Sequence, residues 1–278
     1  MRKAPDFAGD FRVVQIPPRI IQTAKHRTLT LKQRAFAANV KLLNPDFEWC
    51  FFDDSDIERF VDREFPQYRR IFDAYPSHIQ RLDFFRYLAV YRLGGFYFDL
   101  DVLLATELTD LLRLGCVFPF EALTLSRLLR DYGMDWEIGN YAFGAAAGHP
   151  FLGAVIDNCV RAQQSPAWVR PMMRGIPLLS RSEYSVLYTT GPGLVSRTFA
   201  ENADLASSVT VLFPEDVCDA GNWNRFGDYG VHLMEGSWRN SGYLRRRLTQ
   251  RLEAAALKKV VDISRRLGPT RAHVEIGR

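Results

Sequence analysis

Cysteine is scarce in this chain: there are four in 278 residues, at positions 50, 116, 159 and 218, and no two form a CxxC pair. That spacing argues against a zinc site. The four read as reduced, mostly buried thiols, which suits the cytosol. Long hydrophobic runs are also missing. No apolar stretch reaches the roughly 20 residues of a membrane-spanning helix. The opening "MRKAPDFAGDFRVVQIPP" carries basic residues but no apolar core of a secretory signal. The expectation is a cytoplasmic chain, soluble or peripheral on the inner face of a membrane. A strong charge of one sign is lacking too: 36 Lys and Arg stand against 32 Asp and Glu, for a net charge of +4. The basic residues are dispersed except near the C-terminus, so no nucleic-acid partner is expected. Internal repeats and low-complexity segments are absent. Apolar residues are plentiful, at 47% with 20 Phe and 11 Tyr, enough for a large core without disulfides or structural metal.

The first third alternates strand-like and helix-like patterns. "RIIQT" (19–23) and "FEWCFFDD" (47–54) read as strands, and the apolar spacing over 29–43 predicts a helix between them. "DSDIERFVDREF" starts with acids and serine, a good helix opening. "SHIQRLDFFRYLAVYRL" predicts a long helix with Ser77 as N-cap, stopped by Gly94 and Gly95. Strand, helix, strand, helix in this order argues for a mostly parallel sheet with helices on its faces. Further strands are expected at 116–122, 141–147, 209–214 and 229–234, with a helix after His149.

"LGGFYFDLDVLLA" (93–105) reads as a buried strand carrying two acids, Asp99 and Asp101. Buried carboxylates are costly unless paired or bound to a cation. On a strand, residues two apart share a face, so the two would aim at one spot and repel. A divalent cation relieves that, and oxygen ligands suit Mg²⁺ or Mn²⁺. Taken alone, the pair also reads as two acids at a strand exit, one solvated and one capping a turn. Asp83 and Arg86, three apart on the predicted helix, share a face; alone they read first as a surface ion pair.

Asp83, Arg86, Tyr87, Gly94, Gly95, Tyr97, Asp99 and Asp101 together fill the pattern D-x-x-R-Y…G-G-x-Y-x-D-x-D, with Val90 where leucine is usual. The segment resembles glycosyltransferase family 32, the DXD-containing sugar transferases related to yeast mannosyltransferases. The clostridial glucosylating toxins are more distant relatives. "IPPRIIQT" resembles the family's opening strand, without the tryptophan that usually follows. "GNYAFGAAAGHPFL", "TTGPGLVSRTF" and "VHLMEGSW" resemble later motifs, in the family's order, over about residues 16–240.

The resemblance implies a GT-A, Rossmann-like α/β domain over 1–240; the segment 241–278, which it does not cover, reads as a basic amphipathic helical tail. It implies a metal-dependent retaining transferase that moves a hexose from a UDP- or GDP-linked sugar to a glycan or lipid-linked acceptor, as in surface polysaccharide or lipopolysaccharide synthesis. By matching position, Asp101 would ligate the metal and Asp99 would contact ribose and metal. Asp83 and Arg86 would hold the donor sugar and diphosphate, and Asn140 would lie near the reacting sugar. His232 or Ser237 would complete the metal and diphosphate site, Trp238 would pack over it, and Tyr97 would join the nucleotide-binding set. His232 and Trp223 also fit plain packing, and His149 fits a helix entry. Glu235 fits a metal ligand and an exposed acid equally. No nucleophile stands out. The arginine- and lysine-rich tail fits a peripheral membrane contact or a solvated helix packed on the domain. Two other functions fit the same acids: a metal-dependent phosphohydrolase, which usually needs more clustered carboxylates, and a non-catalytic nucleotide-sugar or glycan-binding domain.

Overall fold

The computed structural model describes residues 15–234 except Gly175 and Pro177. The tail at 241–278, Glu235, Ser237 and Trp238 lie outside the described residues. Among the described residues the strands are β1 (Arg19–Thr23), β2 (Glu48–Phe52), β3 (Gly95–Phe98), β4 (Val102–Leu104), β5 (Cys116–Leu123), β6 (Trp136–Ile138), β7 (Ala142–Ala145), β8 (Thr210–Leu212), β9 (Arg225–Phe226) and β10 (Gly230–His232). The α-helices are α1 (Leu31–Leu43), α2 (Asp54–Glu64), α3 (Arg69–Ala74), α4 (His78–Leu93), α5 (Arg127–Asp131), α6 (Pro150–Gln164), α7 (Pro166–Val169), α8 (Arg181–Thr189), α9 (Pro192–Glu201) and α10 (Ala203–Ala206).

A seven-stranded sheet runs β2-β1-β3-β7-β5-β6, with β8 beside β5. Strands β1, β2, β3, β5 and β8 point one way and β6 and β7 the other. The fold is therefore the expected α/β type with a mostly parallel sheet. β1 leads through α1 to β2 on one side, and the chain returns through α2–α4 to β3 on the other. The strand order reverses at β1, and such a switch point opens a crevice beyond the carboxyl ends of β1 and β3. A second, three-stranded sheet, β4-β10-β9, closes over that end.

Local chemistry explains the main elements. Thr30, Asp53 and Ser77 each close a capping box, at the starts of α1, α2 and α4. Helix α4 packs against α2, α3, α6 and α8, and an unbroken run from Asp83 to Val90 is buried. A helix covered on nearly all sides reads as apolar all round, which is why its few polar residues matter. It ends at Gly94, with φ of +66°, whose N–H donates to the Val90 carbonyl at 2.8 Å. Gly95 follows with φ of +107°, and a Cβ there would lie 2.6 Å from the Arg19 carbonyl oxygen. Only glycine lets β3 pass that close to β1.

One expectation is corrected. The segment 93–105 is not one strand. It is β3, a turn, and β4 in the other sheet. All four residues of β3 are buried, and continuing the strand would bury Asp99 and Asp101 too, at the cost of desolvating both. The chain leaves the sheet at Asp99 instead. The turn closes with Val102 N–H donating to the Asp99 carbonyl at 3.1 Å.

Two predictions follow from this framework. Gly95→Ala should cost about 3 kcal/mol, from forced φ and overlap with β1, read as a lower urea midpoint; an unchanged midpoint would refute the close approach. The second concerns Glu137 on β6, whose carboxylate accepts from Thr124 Oγ1 at 2.6 Å. Burial pushes its pKa up to about 7, against the help of Thr124. The folded protein thus takes up this proton before the unfolded chain does, so this group costs stability as pH rises from about 4.5 to about 7. Glu137→Gln should raise the urea midpoint more at pH 8 than at pH 5, and equal changes at both would show that Glu137 is not held neutral.

Candidate active site

The crevice beyond β1 and β3 is a pocket lined from several elements. Thr23 and Lys25 come from the end of β1, Asp83 and Arg86 from α4, and Asp99 and Asp101 from the β3–β4 turn. Glu121 comes from β5, Asn140 and Tyr141 from the approach to β7, and His232 from β10. Every described residue that the sequence reading placed in a site lies on this one pocket.

Its buried wall centres on Arg86. The Nη2 atom lies 3.1 Å from Asp83 Oδ1 and 3.4 Å from Asp99 Oδ1. The Nη1–H donates to the Asn140 carbonyl at 2.8 Å, and the guanidinium sits 4.7 Å over the Tyr97 ring. The Asp83–Arg86 pair is a buried one, 4% and 3% exposed, not the surface pair that the sequence suggests when read alone. The reason is the covering of this part of α4 by α2, α3, α6 and α8.

Asp83 collects donors. Asn140 Nδ2 reaches its Oδ1 at 3.2 Å and Thr190 Oγ1 its Oδ2 at 2.9 Å. Burial still pushes its pKa up to about 6, against Arg86 and Thr190, which favour the charge. Burial also works against the charge on Arg86, but the Asp99 carboxylate, with Tyr97 and Asp83, overcomes it, so the group stays a cation. Tyr87 ties the cluster to the next helix: its hydroxyl accepts from Asn140 Nδ2 and donates to the Thr190 carbonyl, at 2.8 and 2.7 Å. The Thr190-Gly191-Pro192 motif is thereby both the entry to α9 and a wall of the Asp83 site.

The two acids of the turn are fixed separately. Asp99 accepts from the Tyr97 hydroxyl at 2.8 Å, which in turn lies 3.1 Å from Thr23 Oγ1. Its own N–H donates to the Tyr141 carbonyl at 2.8 Å, while the Asp101 carbonyl accepts from Leu233 N–H at 3.0 Å. Tyr97, expected among the nucleotide-binding residues, is buried and acts first as the support of Asp99 and of the Arg86 guanidinium. His232 Nε2 lies 3.2 Å from Asp101 Oδ1, and its ring stacks on Tyr141 at 4.4 Å. Burial lowers the pKa of His232, but the Asp101 and Asp99 carboxylates outweigh it and leave it raised.

Asp99, Asp101 and His232 each offer a ligand atom within 4.8 Å of the other two. The two carboxylate oxygens suit Mn²⁺ or Mg²⁺, and the imidazole nitrogen, a softer donor, weighs against Mg²⁺ as its direct partner. His232 Nδ1 is buried with no hydrogen-bond partner among the described residues, while Nε2 faces Asp101 Oδ1 and is the nitrogen placed beside the carboxylates. The residues present therefore fit a divalent metal. Arg86 Nε is likewise buried without a partner among them.

Other expectations resolve simply. His149 caps α6, its Nδ1 accepting from Phe151 N–H at 3.3 Å, and Trp223 packs on Phe120. The four cysteines are unpaired. The sequence reading missed Glu121, although "CVFPFEA" carries the same signal as the paired aspartates: an acid set in an aromatic strand. Thr23 and Tyr141 were missed for want of any local signal.

Removing the central cation should be costly. Arg86→Met leaves Asp83 and Asp99 without their shared partner and should destabilise the fold by about 3–5 kcal/mol, measured by urea unfolding. Arg86→Lys should recover only part of this, because one ammonium does not reproduce the guanidinium fork. A fully stable Arg86→Met variant would show that the cluster is not held through this residue.

Residues 30–116 match the family model described as "Glycosyltransferase sugar-binding region containing DXD motif". The chain is 33% identical over 205 residues to inositol phosphoceramide mannosyltransferase 3 of Schizosaccharomyces pombe, covering 72% of this chain and 51% of that protein. It is 28% identical over 139 residues to mannosyl phosphorylinositol ceramide synthase SUR1 of Saccharomyces cerevisiae, covering 50% of this chain and 33% of that one. The chain thus spans about half the length of the first relative, and less of the second. A looser likeness links it to the solved PaToxG glycosyltransferase, with a TM-score of 0.47 at 16% identity over 69% of this chain and 76% of the other. The matched segment carries Asp83, Arg86, Asp99 and Asp101, the four charged residues on which the pocket is built, and over it the chain is similar to the DXD-containing glycosyltransferases.

Proposed function

We propose that this chain transfers a hexose from a nucleoside diphosphate sugar to a glycan or lipid-linked acceptor, with a divalent metal and with retention at the anomeric carbon. The observation that carries this reading is the convergence of Asp99, Asp101 and His232 within 4.8 Å beside the buried Asp83–Arg86–Asn140 cluster. A divalent cation held by those three residues would supply Lewis-acid stabilisation of the departing diphosphate. The chain's own groups do the remainder. Arg86 adds a fixed positive charge that needs no rearrangement as the leaving group gains charge. Asp83 and the Asn140 side chain present a polar edge for sugar hydroxyls, held in place by Thr190 and Tyr87.

The relatives named as mannosyltransferases and as acting on inositol phosphoceramide support mannose as the hexose and a lipid-linked polyol as the acceptor. Small differences in pocket shape decide between hexoses, so UDP-glucose and UDP-galactose belong in the same test as GDP-mannose.

Calorimetry with these three donors, with Mn²⁺ and with EDTA, on wild type and Asp101→Ala, checks the reading. The expected result is metal-dependent binding of one donor, weakened at least tenfold in the variant. Wild-type protein that binds no nucleotide sugar under either condition would sink it.

A further inference from the structure

The pocket holds a fourth carboxylate that none of the roles above uses. Strand β5 pairs Phe120 with Ile138 of β6 and Ala122 with the very next residue, Glu137. Two steps along β5 thus oppose one along β6, and Glu121 is the extra residue of a β-bulge. Bulges re-aim a side chain and are over-represented beside active sites. Here the bulge turns Glu121 out of the strand's alternation and into the pocket, where it lines one wall with Asn140, Tyr141 and His232.

A second observation is the room made for it. A Cβ on Gly139 would lie 2.7 Å from Glu121 Oε2, 2.7 Å from the Tyr141 ring and 3.0 Å from Pro119. The Glu121 carboxylate therefore rests against a bare backbone, one residue before Asn140.

We propose that Glu121 is the carboxylate facing the reacting carbon of the donor sugar, stabilising the positive charge that builds there as the diphosphate leaves. This rests on the glycosyltransferase reading above and adds the catalytic group that the paired aspartates do not supply. In the step, the bond from the anomeric carbon to the phosphate oxygen breaks and its electron pair leaves with the diphosphate. The oxygen of the acceptor hydroxyl, or of water, bonds to that carbon, and its proton passes to a phosphate oxygen of the leaving group. Glu121 forms no bond in the step. A preorganised charge aimed at developing charge of opposite sign is the strongest single aid that a site of this kind can give.

Donor hydrolysis tests this without knowledge of the acceptor. The probe is whichever of GDP-mannose, UDP-glucose and UDP-galactose the wild type binds with Mn²⁺. Glu121→Gln should bind that donor within about threefold of wild type yet release nucleoside diphosphate about 100-fold more slowly. Glu121→Ala should be equally slow, and added formate should speed it by restoring a negative charge in the vacated space. Turnover of Glu121→Gln within a few-fold of wild type would overturn the proposal. Donor affinity falling in step with turnover, with no rescue by formate, would overturn it as well, by showing that Glu121 only holds the pocket together. Wild type that binds no donor would remove the transferase reading and this proposal with it, an outcome distinct from either.

Discussion

One buried guanidinium organises this protein. Arg86 touches Asp83 on its own helix, Asp99 on the turn after β3, the Asn140 backbone before β7 and the face of Tyr97 on β3. A cation buried this deeply persists only if carboxylates and carbonyls repay its lost hydration, so the elements carrying those groups are held at fixed distances from α4. The central sheet and its buried helix thus meet at an electrostatic node as well as in an apolar core. The same node sets the site: the groups that neutralise Arg86 are those that line the pocket.

The acids are treated unequally, and the inequality is informative. Asp83 is deeply buried, with its pKa pushed up to about 6, and it accepts from Asn140 and Thr190. Such a carboxylate is a rigid acceptor, suited to orienting a ligand's hydroxyls. Asp99 and Asp101 are more open, with side chains 26% and 19% exposed, and they lie on a turn closed by backbone hydrogen bonds. Partly exposed carboxylates on a pinned turn can take up a cation without unpacking the core. The division between an orienting acid inside and exchangeable acids at the rim comes from where the chain leaves the sheet.

Much of this was legible in the sequence, for reasons that can be named. The strand-helix alternation, the acidic opening of "DSDIERFVDREF" and the cap at Ser77 are local signals, and they set out the order of elements. Asp99 and Asp101 stood out because acids do not belong in an aromatic run. What was not legible is what depends on contacts between distant segments. The burial of Asp83 and Arg86 follows from helices α2, α3, α6 and α8 closing around α4, and no local pattern reports that. The single strand expected over 93–105 failed because its period says nothing of the sheet change at Asp99. His232 could be read as packing or as a ligand until β10 was seen to pair with β4, directly after Asp101.

Glu121 shows how far a local signal can be pressed. An acid in "CVFPFEA" is as anomalous as the acids in "FYFDLD", but position alone does not separate a pocket residue from a buried structural carboxyl such as Glu137. The bulge decides it. Glu137, in regular pairing, is buried and pushed toward neutrality, which suits a structural role. Glu121, at the irregular step, is turned to the pocket and seated on Gly139. A glycine there leaves the backbone bare beneath the carboxylate, and a bulge costs a regular ladder contact. Both features weaken a strand, and their joint effect is to place one charge in the pocket. That makes the irregular step of β5, rather than the regular strand around it, the part of this sheet shaped by the site.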